Sequence, residues 1–467
     1  MKTPSVPRLA APLARPRPLY VVKTTELPDF LAGPGARWAS WLEGFEAGLG
    51  EVRLLPNGAG GVGGAIAGLG TATARRRTRF GLAKAAATLP TGDWVLRGAL
   101  SDIEAEEAVL GWLLAGYRFT RYRPSHKTQA APRLVCPASV DAMRLTAMAE
   151  GEALTRDLIN TPAQDMGPDE LEAEVSTLAT RFGAVTRAVR GNELLAWNFP
   201  MIHAVGRAST RVPRLLEMTW GTTGPQVTLV GKGVCFDSGG LNLKPSAGMN
   251  LMKKDMGGAA TVLGLAQMIM TLAMPIRLRV LIPAVDNMVA GNALKPKDIL
   301  TSRKGLTVEV NDTDAEGRLV LADALAYACE SAPDLLVSMA TLTGAARVAV
   351  GPDLAPYYTD DPALAAALEA GAVAGFDPVW RLPFHDPYES VIEPGIADLD
   401  NAPGFGFAGS ITAALFLRRF VDRPRFVHFD IYGHSPTDQP ARPKGGVGQG
   451  ARALLYALPN LLKLEPV

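Results

Sequence analysis

The chain has 467 residues, 48% of them apolar and 20% charged, which suits two or three domains with real cores and excludes a disordered tail. Lys and Arg number 47 against 46 Asp and Glu, so net charge points to no partner. Five His and three Cys exclude a zinc finger, a disulfide-rich secreted scaffold and most His-ligated metal sites. Cys136, Cys235 and Cys329 stand far apart with no C-x-x-C, the pattern of free thiols in a reducing compartment.

In chain order, residues 1–18 are basic and repeatedly interrupted by proline, so a leader is expected there rather than a targeting signal. No membrane span is expected and the protein reads as cytoplasmic. Glu51–Leu55 reads as a strand, followed by a mobile glycine-rich loop reaching Gly70. Residues 1–130 hold 17 Lys and Arg against 10 acids, leaving an acidic excess for the remainder. The basic run Arg121–Lys127 reads as the end of a first domain, 1–138, with a second over 139–467. A helix is expected over 139–160. A clearer one spans Pro168–Phe182: proline and acids open it, Gly183 can close it, and Leu171, Val175, Leu178, Ala179 and Phe182 share a face.

From about residue 225, strands alternate with helices. Strands are expected at Gln226–Val230, Arg277–Ala284, Thr307–Val310, Asp334–Ala340 and Arg425–Ile431. Helices are expected at Gly258–Leu272, Arg318–Cys329, Ser410–Val421 and Gln449–Leu462. Such alternation predicts an α/β fold with a mostly parallel sheet covered by helices, whose ligands sit beyond the carboxyl ends of the strands.

Three strand-end segments are unusually polar: Gly231–Gly240 with Lys244, Met252–Gly258, and Asn311–Arg318. Crowded carboxylates repel unless a cation neutralises them, and bridging carboxylates can hold two divalent ions about 3.5 Å apart. The plain alternative is that each acid caps a helix or pairs with a lysine. It weakens when three such segments occur in one domain.

These residues resemble the leucine aminopeptidase family of dinuclear metal cytosol aminopeptidases. The signature Asn-Thr-Asp-Ala-Glu-Gly-Arg-Leu is matched by Asp312–Leu319. The likeness extends through Val230–Gly233, Phe236–Gly240, Lys244, Lys254–Ala260 and Ala340–Ala345, with intervals of 5, 7, 11 and 59 residues from Lys232 to Asp314. It covers roughly residues 150–460 and fades in the smaller N-terminal α/β domain. The resemblance implies that Lys232, Asp237, Asp255 and Glu316 hold one metal ion. It gives the other to Asp237, Asp314 and Glu316, with the Asp314 carbonyl. Mn²⁺, Zn²⁺ or Mg²⁺ would suit such hard ligands.

The implied reaction is removal of the N-terminal residue from peptides by a hydroxide between two metals. Asp255 and a metal would hold the α-amino group, Lys244 would polarise the scissile carbonyl, and Arg318 would hold a bicarbonate acting as base. Thr341, Leu342 and Gly344 match substrate-contacting positions, and Met252 a wall of the side-chain pocket. Family members form hexamers, so a homo-hexamer is implied.

Two departures stand out. Asp312 replaces the signature's first Asn and reads as standing behind the ligands. Tyr432 occupies a usually small position bordering the specificity pocket, so leucine preference does not follow; His434 beside it could tune that choice. His126, His203, His385 and His428 match no ligand spacing. Gly58–Gly63 formally fits G-x-G-x-x-G, with Arg75, Arg76, Arg77 and Arg79 nearby, which raises an NADP-dependent oxidoreductase as a weak alternative. Nucleic acid is disfavoured as a partner because that basic run lacks interleaved aromatics. An inactive family member is disfavoured by the intact site positions.

Overall fold

The computed structural model describes residues 8–11, 15–123, 131–422 and 425–464. The leader expected over 1–18 and the basic run 121–127 lie partly outside these residues, and His126 wholly so. The chain divides into two compact units: Met1–Ala153 with Thr437–Lys444, and Leu154–Pro436 with Gly445–Val467.

The first unit holds a five-stranded sheet in the order Val52–Pro56, Val62–Gly70, Arg17–Lys23, Asp93–Arg97, Arg133–Val135. Only the Val52–Pro56 pairing is antiparallel. Arg17 and Pro18 therefore begin a strand although they were expected in the leader. The glycine-rich segment is also corrected. Residues 57–61 form a turn held by Asn57, whose Oδ1 accepts the N–H groups of Ala59 and Gly61 (3.0 and 2.9 Å). Val62–Gly70 is a strand bonded on both sides. Its glycines serve packing: a Cβ on Gly68 would stand 2.2 Å from the Gly48 carbonyl oxygen. The formal fingerprint thus leads into a strand rather than a helix N-terminus, and it lacks the phosphate cradle a dinucleotide needs.

The second unit is built on a nine-stranded sheet. Its main order is Val379–Leu382, Ala355–Tyr358, Arg425–Asp430, Leu335–Ala340, Gln226–Gly231, Arg277–Asn287, Arg214–Trp220, Val185–Arg190. Gly233–Asp237 pairs with the far half of Arg277–Asn287. The centre is parallel, and antiparallel pairings lie toward the edges. Buried helices Gly257–Thr271 and Gly317–Cys329 pack on the central strands. This is the expected α/β architecture.

Element ends fall within a few residues of expectation. Pro168–Phe182 opens with Pro168 in its first turn and closes on Gly183 at φ 67°, the left-handed geometry that favours glycine. Gly258 explains why its helix, Gly257–Thr271, lies so close to the sheet. A Cβ there would meet the Met339 carbonyl oxygen at 2.1 Å. The predicted strand Arg277–Ala284 instead runs on to Asn287, and that extension carries Asn287 alongside Asp237. No described helix is long and apolar enough to cross a membrane.

Candidate functional site

Every carboxyl end of the central strands delivers polar groups to one place. Lys232 sits between strands Gln226–Gly231 and Gly233–Asp237, its N–H bonded to the Met339 carbonyl (3.0 Å) and its carbonyl to Ala259 N–H (2.9 Å). With its backbone locked, the side chain runs past Gly317, where a Cβ would stand 2.6 Å from Nζ. Nζ reaches Asp255 Oδ2 at 2.7 Å, Glu316 Oε1 at 2.9 Å and the Thr341 carbonyl at 3.2 Å.

After Asp237 the chain turns sharply through Gly239 (φ 90°) and Gly240 (φ 64°), so Lys244 returns to the same spot. Lys244 Nζ pairs with Asp237 Oδ2 at 2.8 Å and with Asp314. Asp237 Oδ1 accepts from Asn287 Nδ2 and Gly239 N–H, both at 2.9 Å. Asp255 lies in the short 3₁₀ segment Met252–Met256 before helix Gly257–Thr271 and accepts from Thr341 Oγ1 at 2.8 Å.

The signature segment is a braced turn. Asn401 Oδ1 accepts the N–H groups of Asn311 and Asp312, and its Nδ2 donates to the Asp312 carbonyl at 2.7 Å. Asp312 Oδ1 in turn accepts the Asp314 N–H at 2.8 Å. Asp312 therefore stands behind Asp314, holding its backbone, and does not line the cavity.

Asp237, Asp255 and Glu316 are all buried, with one oxygen of each lying within 4.8 Å of the others. Burial pushes Glu316 well above the usual carboxylate range, helped by Asp237 and Asp255. Burial, then Asp237, raises Asp314 to about 6. Burial would also raise Asp255, but Lys232 and Lys254 outweigh it and hold that carboxyl low. For Lys232 and Lys244, burial works against the charge, yet the surrounding carboxylates win and raise both. Lys254 differs: burial pushes it down to about 8, although Asp255 works the other way.

Fully ionised, the four acids would carry more negative charge than the two ammonium groups of Lys232 and Lys244 offset, and Asp237 accordingly pushes Glu316 and Asp314 upward. Both Glu316 oxygens, Asp255 Oδ2 and Asp314 Oδ1 accept no hydrogen bond, while three of these four oxygens are held only by lysine ion pairs. Buried oxygen donors with unused lone pairs, backed by a lysine, fit divalent metal ions. Arg318 is buried too, and its Nε has no hydrogen-bond partner.

The cluster opens into a cavity of about 510 Å³. It is lined by Lys232, Asp237, Lys244, Met252, Asp255, Asp314, Glu316, Arg318, Thr341, Leu342, Gly344 and Tyr432, which are the candidates read from the sequence. His434 is outside the lining and meets the Tyr432 ring edge-on, with centroids 5.8 Å apart. His428 is buried against Ser338, and burial pushes it down to about 3. His203 contacts Asn192, and His385 packs on Tyr388.

Sequence reasoning missed Lys254 and Arg347, which also line the cavity, and Asn287, which orients Asp237. Lys254 stood beside Asp255 in plain view. Its neighbour Lys253 bonds the Asn160 carbonyl (2.6 Å), and spacing alone cannot tell which of the two faces the site.

The model for the catalytic domain of the cytosol aminopeptidase family matches residues 153–455. The chain belongs to that family. The M17 aminopeptidase N-terminal domain matches residues 17–137. Members of this family are peptidases, hydrolases by reaction class. A probable cytosol aminopeptidase of Chlorobium limicola is 36% identical over 459 residues, covering 89% of this chain and 90% of the relative. One from Roseiflexus castenholzii is 40% identical over 365 residues, covering 74% and 75%. Among solved structures, the cytosol aminopeptidase of Coxiella burnetii superposes with a TM-score of 0.90 at 40% identity, covering 96% of this chain and 98% of that one. The bottromycin maturation enzyme BotP, solved in complex with Mn, gives 0.85 at 32% identity, covering 96% and 100%.

Proposed function

We propose that this member of the family is a two-metal aminopeptidase that releases the first residue of peptides bearing a free N-terminus. Lys232, Asp237, Asp255, Asp314 and Glu316 would hold the two ions. The observation that carries the reading is the buried cluster of carboxylates with unused lone pairs, opening into a cavity also lined by Lys244 and Arg318. Divalent ions bound there supply Lewis acidity toward water and toward the scissile carbonyl. Mn²⁺ is the first choice because BotP was solved with it; Zn²⁺ and Mg²⁺ suit the same oxygen donors.

The remaining steps belong to the chain's own residues. Asp255, oriented by Thr341, accepts the substrate α-ammonium and so restricts cleavage to the first residue. Lys244 stabilises negative charge developing on the carbonyl oxygen. Arg318, its Nε unpaired, offers a cationic seat for bicarbonate, which when bound supplies a base. Thr341, Leu342, Gly344, Met252 and Tyr432 shape the space for the substrate. A domain boundary near 138/139, a homo-hexameric assembly and a cytoplasmic setting belong to the same reading.

The test is release of the first residue from amino-acid p-nitroanilides with Mn²⁺ added. Turnover lost in Asp314→Ala and Glu316→Ala supports the site; retained turnover in either refutes it. Sedimentation in solution tests the hexamer.

A further inference from the structure

The cavity contains five cations, and they divide into two kinds. Lys232 and Lys244 are tied to the carboxylates. Arg318 lies deep beside that cluster, facing the charges of Asp430 and Glu316. Lys254 and Arg347 have no carboxylate within ion-pair distance among the described residues and meet at a third side chain, Tyr432. Lys254 Nζ stands 5.2 Å from the Tyr432 ring centroid, and the Arg347 guanidinium 5.1 Å from it. Arg347 also donates to the Tyr432 hydroxyl at 3.4 Å.

The two cations come from different elements. Lys254 precedes Asp255 in the 3₁₀ segment Met252–Met256, and the residue is buried, with a relative exposure of 8%. Arg347 projects from helix Gly344–Val350 and is exposed at the rim. The acid nearest Lys254 in sequence, Asp255, is taken by Lys232 at 2.7 Å. Like charges converging on one ring repel, and an ammonium on a buried residue with no anionic partner is costly. One anion placed between them removes both penalties.

We infer that this end of the cavity takes a carboxylate, and that the preferred substrates begin with an acidic residue, Asp or Glu. The inference rests on the aminopeptidase reading. With the α-ammonium at Asp255, the adjoining residue Lys254 stands where the first side chain must turn, and Arg347 closes over its far end. The methylenes of the side chain pack against Met252 and the Tyr432 ring. Tyr432, at a position bordering this space, supplies the platform that aims both cations.

The experiment compares Glu with Gln, and Asp with Asn, as p-nitroanilides on the Mn²⁺-loaded enzyme, with Leu and Lys substrates alongside. Each acid and its amide match in shape, so their ratio of kcat/KM reads charge alone. The expected acid-to-amide ratio is about tenfold or more, the worth of one charge-assisted hydrogen bond. Arg347→Met, on the exposed helix surface, should bring that ratio close to one, chiefly through KM. Lys254→Met should do the same, with circular dichroism and melting temperature reporting whether it folds. Calorimetric binding of the products L-glutamate and L-glutamine gives a readout independent of turnover, and glutamate should bind more tightly.

A ratio at or below one with good Leu turnover overturns this inference and leaves the aminopeptidase standing. A ratio untouched by Arg347→Met assigns the cations to packing on the ring and overturns it equally. No turnover on any substrate counts against the proposed function instead; glutamate binding then decides the anion site by itself.

Discussion

Gly317 shows how narrowly single atoms set this site. It opens helix Gly317–Cys329, where alanine would ordinarily stabilise by about 0.5–1 kcal/mol. Its missing side chain is the space through which Lys232 passes. Gly317→Ala is therefore expected to keep the fold, because the obstacle it meets is the end of a flexible side chain, while displacing the amine from Asp255 and Glu316. Turnover and Mn²⁺ affinity should fall steeply as the melting temperature changes by only a few degrees; unchanged metal affinity would show that Lys232 is not needed there. Lys244→Met makes a complementary case. Removing one preorganised oxyanion donor typically lowers kcat by about 10²–10³-fold, and steady-state kinetics reads that loss directly.

Among the elements, Asp323 on helix Gly317–Cys329 ties separate segments together. Its Oδ2 accepts the Met201 N–H (2.8 Å) and Ile202 N–H (3.4 Å) at the start of helix Pro200–Gly206, and Oδ1 accepts Arg303 N–H (2.8 Å). Asp323→Ala leaves those N–H groups buried and unsatisfied and is expected to cost ~1–3 kcal/mol in urea unfolding. Burial raises this carboxyl to about 7 although all three bonds pull it down. An acid raised in the folded state binds more protons there than when unfolded, so its stabilisation is full below the ordinary aspartate range and fades as pH rises through about 7. The difference in urea midpoint between wild type and Asp323→Ala should accordingly shrink from pH 5.5 to 8.

The same element scale shows where patterning succeeds and fails. Pro168–Phe182 was legible because capping, helix dipole and apolar spacing agree in one segment. Val62–Gly70 was misread because its small residues look like a loop, whereas they let that strand approach residues 47–48 closely. The end of Arg277–Asn287 was hidden for a different reason. Its last residues are polar, and only their pairing with Gly233–Asp237 makes them strand.

At the scale of the whole molecule, three segments distant in sequence, 231–244, 252–258 and 311–318, share one set of charges. Cation binding should therefore stabilise the fold that assembles them. A ligand at 100 times its dissociation constant adds about 2.7 kcal/mol, so Mn²⁺ is expected to raise the melting temperature of the chelator-treated protein and EDTA to reverse the rise. Glu316→Gln should lose most of that shift. An equal shift in wild type and variant would place the ions elsewhere.

The sequence by itself determined the α/β alternation, the family and the twelve cavity candidates, because hydrophobic period and a chemically constrained motif are local properties of the chain. Through the family resemblance it also implied a metal site of carboxylates and a lysine in a chain poor in His and Cys. Tertiary structure alone decided which of Lys253 and Lys254 faces the cavity, that Arg347 joins it at Tyr432, and that Asn287 and Asn401 brace the acids. Those roles depend on where side chains from different strands and helices meet. Such meetings are set by sheet order and close packing, neither of which leaves a mark on local spacing.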